Sequence, residues 1–444
     1  MTPFKFYLLT DTHYFEPSLG AEGKAFESYM KREQFFLKES SQIVKATFEK
    51  IAEDNETDIV LIAGDLSKNG EKESHLSFIK ELYKLSKKGK KIYVITAGHD
   101  YNEFSYCYKN DERYEVEGTS FDELYEMYYD FGLSEALSVH KRTHSYIAEI
   151  APEVRRLALN CDSSDDAKGV FADVMLSWIK EQTDKAKEDG AFVLAICHYP
   201  IIPGVPVFDL VGDTKVKEWR RVASFLADEG VEIAFTGHMH IQSVNEFTSE
   251  KGNRFIDVCT AALVGSPARY RRVTVSEEGV MNIESIQTAE FRENTDVPLQ
   301  KFFDDKFNEA ILERVLGALS GGEGAVGAIK KKAKGFVENG TVGSLSRLLA
   351  IKTDKELKEK KLTDLIGEIG LAIFKGDMPY TEGTPVGDTF SRLLKRFSFV
   401  IGKVERKLSK DGNRVDLKEM LLGTIGHNKR YGDNDTEISL SVKF

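Results

Sequence analysis

Blocks of apolar residues alternate with amphipathic stretches over the first hundred residues of the chain. Three mainly apolar runs, at 4–9, 58–63 and 91–95, predict buried β-strands, and the stretches 31–53 and 71–88 have the spacing of amphipathic helices. A helix therefore lies between each pair of predicted strands. This order predicts an α/β fold with parallel strands joined by right-handed crossovers.

The next two hundred residues continue this pattern and then change it. Residues 101–144 form a tyrosine-rich insertion with a helix predicted near 120–131. A hairpin is then predicted from strands at 145–150 and 156–160. Helices are predicted at 172–189 and 213–229, and buried strands at 191–197 and 231–235. Period-two alternation from 242 to 286 predicts four more strands, at 243–247, 254–258, 270–275 and 281–285, as an antiparallel flank on the sheet.

The strand pattern ends near residue 295. Residues 299–410 are mostly helical in periodicity, and residues 437–444 alternate as a strand. With 444 residues the chain is long for one domain, so the change predicts a first domain at 1–294 and a mainly helical second domain at 295–444. A lid over the site, a dimer contact and a stabilising cap are the alternatives for the second domain, and the oligomeric state stays open.

The charge is distributed unevenly along the chain. Residues 1–294 carry 35 Lys and Arg against 50 Asp and Glu, a net charge of −15, whereas residues 295–444 carry 26 against 22, a net charge of +4. Hydrophobic residues make up 41% and charged residues 30%, which allows a sizeable core. The acidic first domain argues against a long nucleic acid as a partner.

The cysteines and the hydropathy bear on the compartment. Four scattered cysteines, with no Cys-x-x-Cys pair, are predicted to be buried thiols of a reducing compartment. The first predicted strand starts at Phe4, which leaves no room for a signal peptide, and no apolar stretch is long enough to span a bilayer. A cytoplasmic protein without a membrane partner is expected.

Polar blocks rich in Asp and His follow five of the apolar runs. They are Asp11-Thr12-His13, Gly64-Asp65, His99-Asp100, His198 and Gly237-His238-Met239-His240. In an open α/β sheet ligands bind at the carboxyl ends of the strands, where these blocks fall. Carboxylates with imidazoles suit Mn, Fe or Zn, and six of these residues suffice for two divalent ions. Five blocks in order argue against chance, the alternative explanation.

Two such ions define a chemistry. Asp65, alone on its turn, is placed to bridge them, and His238 and His240 can each bind a different ion. Ions about 3.5–4 Å apart hold a bridging hydroxide for in-line attack on phosphorus and neutralise the phosphoryl oxygens. His99 remains as the imidazole that stabilises charge or protonates the leaving oxygen, with a structural histidine as the alternative.

The order and spacing of these blocks resembles that of the calcineurin-like metallophosphoesterases, over residues 4–286. The resemblance implies a double β-sandwich flanked by helices. It also implies that Asp11, His13 and His240 hold the first metal, that Asp65 bridges, and that His198 and His238 hold the second. His99 is then the histidine that contacts the phosphate or the leaving group.

One position departs from the family pattern. The family usually has Asn, which binds the second metal, where this chain has Gly98. A water, Asn69 or Asn102 is expected to substitute, and the two asparagines are candidate substrate contacts. The alternative is a metal-binding scaffold or interaction protein whose second metal site is weakened by Gly98.

Two further residues and the segment after Asp65 complete the predictions. His75 is expected on a helix surface, with a substrate contact as the alternative. Asp162 is interpreted as a turn residue, with a place at the edge of the site as the alternative. The segment after Asp65 lacks the Asp-Arg-Gly of the family's protein phosphatases. It looks like bacterial cyclic-nucleotide phosphodiesterases and purple-acid-phosphatase-like members with a helical C-terminal domain, so the expected substrate is a small phosphodiester or phosphomonoester.

Overall fold

The computed structural model describes residues 2–31, 33–162, 168–293, 295–321, 324–409, 415–426 and 429–441. Within these residues the strands are β1 (Phe4–Leu9), β2 (Ile59–Ala63), β3 (Lys91–Ile95), β4 (Asn102–Lys109), β5 (Glu112–Thr119), β6 (Ala136–His140), β7 (Ser145–Ala151), β8 (Val154–Leu159), β9 (Phe192–Cys197), β10 (Ile233–Thr236), β11 (Ser243–Thr248), β12 (Arg254–Cys259), β13 (Arg269–Val275), β14 (Val280–Gln287) and β15 (Thr436–Ser439). The α-helices are α1 (Lys24–Met30), α2 (Ser40–Glu53), α3 (Lys72–Ser86), α4 (Phe121–Met127), α5 (Asp173–Glu188), α6 (Trp219–Asp228), α7 (Leu299–Ala318), α8 (Gly324–Asn339), α9 (Val342–Leu349), α10 (Leu362–Lys375), α11 (Pro385–Arg396), α12 (Ser398–Leu408) and α13 (Leu417–Ile425).

Two sheets carry most of the strands. One has six strands in the order β15-β14-β13-β1-β2-β3, and the other has seven in the order β11-β12-β10-β9-β8-β7-β6. The predicted parallel arrangement of β1, β2 and β3 is confirmed, since β2 pairs parallel with both neighbours. In the second sheet β9 pairs parallel with β8 and β10. Each sheet therefore presents the carboxyl ends of several adjacent strands on one edge.

The sheets pack face to face and are covered outside by helices. Between them, residues of β1 meet residues of β10, and the rings of Phe6 and Phe235 are 5.3 Å apart, edge to face. The next residue of β1, Tyr7, faces the opposite way and packs with Ile43 and Phe78 of α2 and α3. Helices α5 and α6 cover the outer face of the second sheet. Burial on both faces explains why these strands are continuous apolar runs, and the predicted double β-sandwich flanked by helices is confirmed.

Three elements differ from the prediction. The four strands predicted as one antiparallel flank are divided: β11 and β12 lie in the second sheet, where β12 pairs parallel with β10, and β13 and β14 lie in the first. The helix predicted at 31–53 is only Ser40–Glu53, because Phe35 forms a bridge with Gly265 instead. The hairpin β4–β5 is new; its second strand is mostly exposed and charged, so it carries no apolar alternation.

The C-terminal part is mainly helical and returns to the first sheet at its end. β15 pairs antiparallel with β14, with Met281 opposite Ile438. The fully buried Arg271 donates to the carbonyls of Asp433 and Asn434, each at 2.9 Å. The predicted strand at 437–444 is Thr436–Ser439, with residues 442–444 outside the described part. The domain boundary near residue 294 stays a prediction.

Two smaller findings concern the predicted compartment. All four cysteines are buried and none forms a disulfide, as predicted; they are Cys107, Cys161, Cys197 and Cys259. Among the described residues, none of the helices combines the length and the hydrophobicity that a membrane span needs.

Candidate metal centre

Five loops bring the predicted site residues to one edge of the sandwich. Asp11 and His13 follow β1, Asp65 follows β2, and His99 follows β3. The second sheet contributes His198 after β9, and His238 and His240 after β10. The strands of each set are adjacent and parallel, so their carboxyl ends converge and the loops meet between the two sheets.

The first group consists of Asp11, His13 and His240. Their nearest ligand atoms all lie within 4.8 Å of one another, and all three residues are buried. His240 Nε2 is 3.2 Å from Asp11 Oδ1 and 3.2 Å from His13 Nε2. A carboxylate oxygen and two imidazole nitrogens converging on one point are a suitable ligand set for a divalent ion.

The second group consists of Asp65, His198 and His238, again with ligand atoms within 4.8 Å of one another. His198 Nε2 is 3.0 Å from Asp65 Oδ2. The same oxygen of Asp65 is 3.9 Å from Nε2 of His13, a member of the first group. Asp65 therefore lies between the two groups, which is where a bridging ligand must be.

Main-chain carbonyls fix two of the imidazoles. His198 Nδ1 donates to the Ala63 carbonyl at 2.8 Å, and His238 Nε2 donates to the Asp213 carbonyl at 2.8 Å. A carbonyl only accepts, so these bonds assign the tautomers. They leave Nε2 of His198 and Nδ1 of His238 as the ligand atoms, the arrangement in which outer partners orient metal-binding histidines.

Several polar atoms of the site are buried without a well-aligned hydrogen bond to any described residue. They are Asp11 Oδ1, His13 Nδ1, His198 Nε2 and His240 Nδ1. Nδ1 of His13 and of His240 is the ring nitrogen opposite the converging Nε2 atom, so only Asp11 Oδ1 and His198 Nε2 face the ligand groups. A buried polar atom without a partner is costly, so these two atoms indicate a missing partner between the groups. The donor set of the two groups fits divalent cations, and they are candidate sites for divalent metals.

For Asp11, His13 and His238 the electrostatics give the protonation states that metal binding needs. Burial would raise the pKa of Asp11, but His240 and His198 lower it to about 2. Burial lowers the pKa of His13 to about 3 and that of His238 to about 4. The carboxylate is therefore ionised and these imidazoles are neutral. His198 differs: burial lowers its pKa, but Asp65 and Asp11 raise it to about 10, which shows that this position favours positive charge.

The backbone is strained at five of the six candidate ligands. Their φ angles are positive, at 50° for Asp11, 33° for His13, 51° for Asp65, 65° for His238 and 58° for His240. Non-glycine residues rarely adopt this region, and each such residue costs of order 1–3 kcal/mol. Strain concentrated in this way is characteristic of functional sites, where the surrounding structure holds side chains in an otherwise unfavourable geometry.

The sequence of this region matches a known family. The model of the calcineurin-like phosphoesterases matches residues 4–242.

The chain belongs to the calcineurin-like phosphoesterase family.

Several solved structures are similar to the chain at low identity. A dimetal phosphatase from Danio rerio is 13% identical, with 65% of this chain and 97% of that chain covered and a TM-score of 0.48. A purple acid phosphatase from seeds of yellow lupin, Lupinus luteus, is 12% identical, with 66% and 52% covered and a TM-score of 0.41. No curated protein matches the chain significantly. The family resemblance stated from the sequence is confirmed.

His99 is exposed and lies beside Asp65 of the second candidate ligand group. Its Nδ1 donates to the Lys68 carbonyl at 2.9 Å, and its main-chain N–H is 3.2 Å from Asp65 Oδ1. The ring meets that of His13 edge to face, with centroids 5.3 Å apart. Because the proton on Nδ1 is held in the hydrogen bond to the Lys68 carbonyl, Nε2 is the ring nitrogen that can give or take a proton.

The space beside Gly98 is occupied differently from the prediction. The side-chain atoms nearest that position belong to Asp162 and Lys168, and Asn69 and Asn102 are not among them. Asn102 is exposed at the start of β4. The predicted substitution by either asparagine, like their contact with a substrate, stays a prediction. Asp162, interpreted as a turn residue, lies at the edge of the site instead.

His75 is not on the surface of the phosphoesterase domain, and that prediction is wrong. The residue is fully buried in α3; its Nε2 donates to the Asp100 carbonyl at 2.8 Å, and its Nδ1 accepts from the Tyr128 hydroxyl at 2.7 Å. Both ring nitrogens are used within the protein, so His75 does not contact substrate. It faces inward because α4 of the insertion packs over α3, which periodicity in α3 alone does not show.

Two other residues support the site without having been assigned a role from the sequence. Asp100 accepts hydrogen bonds from the amides of Leu66, Ser67 and Ala97, at 2.7–2.9 Å, and so ties the loop after β2 to the loop after β3. Tyr199 stacks on the His238 ring, with centroids 3.9 Å apart. Each of them directly follows a candidate site histidine in the sequence, His99 or His198, and this adjacency was the only sequence feature that could have indicated their supporting role.

The buried imidazole of His75 predicts a pH dependence of stability. Burial lowers its pKa from 6.5 to about 4, so the unfolded chain takes up the proton first as the pH falls. The stability it contributes is complete above pH 6.5 and is lost between pH 6.5 and about 4. We expect His75→Gln, which can keep both hydrogen bonds without titrating, to remove this dependence.

The measurement is urea unfolding of both proteins from pH 7.5 to 4. The difference in unfolding free energy should change by up to about 1.4 kcal/mol per pH unit, and by roughly 3 kcal/mol in total. The variant serves as the control for all other titrating groups. Equal pH slopes for the two proteins would contradict the prediction.

Proposed function

We propose that this protein is a dinuclear metal-dependent phosphoesterase that hydrolyses a small phosphodiester or phosphomonoester. The observation that carries the proposal is the position of Asp65 between two three-residue ligand groups, 3.0 Å from His198 Nε2 and 3.9 Å from His13 Nε2. Membership of the calcineurin-like phosphoesterase family supports the same reaction class.

The protein's residues divide the work. Two divalent ions, when bound, lower the pKa of water and supply positive charge to the phosphoryl oxygens. Asp11, His13 and His240 would hold one ion, and His198 and His238 would hold the other, with Asp65 shared. The backbone of the five loops and the carbonyl partners of the imidazoles keep these groups in place before any ligand arrives, which limits reorganisation during reaction.

His99 is proposed as the proton donor to the leaving oxygen. Its Nδ1–H is held by the Lys68 carbonyl, so in the imidazolium form the transferable proton is on Nε2. The amide of His99 lies against Asp65, so the ring starts from a fixed point next to the ligand groups.

The substrate is proposed to be small and nucleotide-like, possessing a phosphate with one or two ester bonds. Residues 1–294 have a net charge of −15, which disfavours a long polyanion outside the metal centre. The resemblance to bacterial cyclic-nucleotide phosphodiesterases supports a nucleotide. We propose no membrane partner and no nucleic-acid partner.

A metal-binding scaffold is the second candidate, favoured only by the missing side chain at Gly98. The metal content discriminates the two: two ions per chain favour the enzyme, and one or none favours the scaffold. The carboxylate of Asp162 beside Gly98 weakens the argument for a degraded site, because a potential ligand is present where the side chain of residue 98 is missing.

The test is hydrolysis of bis(p-nitrophenyl) phosphate and p-nitrophenyl phosphate by the full chain. The protein is stripped with a chelator and reloaded with Mn²⁺, Fe²⁺ or Zn²⁺, and the metal content is measured on the same samples. We expect turnover that depends on two ions per chain, and the preferred substrate distinguishes a diesterase from a monoesterase. Absence of turnover on both substrates with two ions bound would contradict the proposal.

A further inference from the structure

The side chain of Asp162 occupies the space beside Gly98. A Cβ atom on Gly98 would lie 2.1 Å from Asp162 Oδ2 and 2.8 Å from Lys168 Nζ. The φ angle of Gly98 is outside the left-handed region, so its backbone would accept another residue. Glycine is needed at position 98 because the carboxylate of Asp162 occupies the space that a side chain would take.

The strand register explains how Asp162 reaches the metal centre. β8 runs parallel to β9, with Leu159 opposite Cys197, so the residues after β8 run beside His198. The Asp162 amide donates to Asn160 Oδ1 at 2.9 Å, and the Asp162 carbonyl accepts from the Tyr101 hydroxyl at 2.9 Å. These bonds fix the main chain and leave the carboxylate available.

The carboxylate itself is buried and incompletely bonded. Asp162 is 2% exposed, and its Oδ1 has no hydrogen bond to any residue that the structure describes. Burial raises the pKa of this carboxyl group, while Lys168 and His198 lower it. A buried carboxylate oxygen without a partner is costly and indicates that a further group binds there.

We propose that Asp162 is a ligand of the second metal ion and takes the place of a side chain at position 98. This inference rests on the proposed function, since it presupposes that Asp65, His198 and His238 bind an ion. Asp162 lies next to that group of three and not within it. Binding therefore involves a movement of its carboxylate from Gly98 towards Asp65.

Lys168 offers the competing explanation for Asp162. The ammonium group of Lys168 also lies close to Gly98, so an ion pair with Lys168 alone would also explain why the Asp162 carboxylate lies there. The experiment distinguishes this explanation from metal binding. Lys168 is otherwise exposed, and its removal leaves the three-residue group untouched. Lys168→Met is accordingly the matched control.

The experiment compares the full-length wild type with Asp162→Ala, Lys168→Met and the double variant Gly98→Asn/Asp162→Ala. Each stripped protein is titrated with Mn²⁺, and the bound metal is counted by elemental analysis and by the spin-coupled dimanganese signal in electron paramagnetic resonance. We expect two ions in the wild type and in Lys168→Met. In Asp162→Ala the second ion should bind at least about 10-fold more weakly and the coupled signal should be lost.

The double variant moves the ligand from position 162 to position 98. With the Asp162 carboxylate gone, the asparagine side chain introduced by Gly98→Asn has room, so the second ion and the coupled signal should return. Thermal unfolding in chelator checks that all variants fold. The inference is overturned if Asp162→Ala keeps both ions at wild-type affinity, if Lys168→Met loses the second ion equally, or if the double variant fails to regain it. A wild type that binds no ion contradicts the proposed function instead.

Discussion

Asp65→Asn is expected to abolish hydrolysis. Asp65 lies between the two groups, and its charge is maintained by its surroundings: burial would raise its pKa, but His198 and His99 hold it well below the usual value. The amide is neutral and removes this charge at the centre of the site. We expect the rate on bis(p-nitrophenyl) phosphate to fall by at least about 10³-fold, the order of loss seen when one preorganised charge-stabilising group is removed.

The loss should be accompanied by a change in metal content. We expect fewer than two ions per chain in Asp65→Asn under conditions where the wild type holds two. Asp305→Asn, an exposed substitution on α7, makes the same chemical change far from the metal groups and should leave rate and metal content unchanged. Two ions with a rate within about 10-fold of the wild type would refute the assignment of Asp65.

His99→Gln is expected to slow hydrolysis without removing metal. If Nε2 of His99 protonates the leaving oxygen, the loss depends on how much that oxygen needs the proton. A nucleotide leaves an alkoxide, and we expect a loss of about 10²–10⁴-fold for such a substrate. The p-nitrophenolate ion is stable without a proton, so the rate on bis(p-nitrophenyl) phosphate should change far less.

The contrast between the two substrates is the informative measurement. Metal content in His99→Gln should equal that of the wild type, because His99 contributes none of the six candidate ligands. Equal losses on both substrates would show that His99 acts on the phosphoryl charge and not on the leaving group. A drop in bound metal would show that the His99 ring holds the loop after Asp65 in place, through its hydrogen bond to the Lys68 carbonyl, and would contradict a direct role.

The core strands could be read from the chain because their burial is local information. β1 and β3 have the predicted bounds, Phe4–Leu9 and Lys91–Ile95, since both faces of each strand are covered and each run is mainly apolar. The polar residues directly after such runs fall at the carboxyl edge by geometry alone. The types of residue and their order along the chain were therefore enough to predict the six candidate ligands and the family.

The partition of strands between the sheets could not be read in this way. β11 to β14 alternate alike, but β12 pairs parallel with β10 in one sheet, and β13 pairs antiparallel with β1 in the other. Alternation specifies a half-buried strand and not its neighbour. The return of β15 to β14, more than 140 residues away along the chain, is a pairing of the same kind.

The chain by itself determined which residues can bind metal, because strand burial and the residues that end a strand are written in consecutive positions. Only the tertiary structure decided which side chain lies beside Gly98 and which residues are buried beneath the site. Asp162 reaches Gly98 through the register of β8 on β9, and His75 is buried by a helix that lies 46 residues further on. Both depend on pairings between distant segments, whose free energy comes from packing and hydrogen bonds that no local pattern contains.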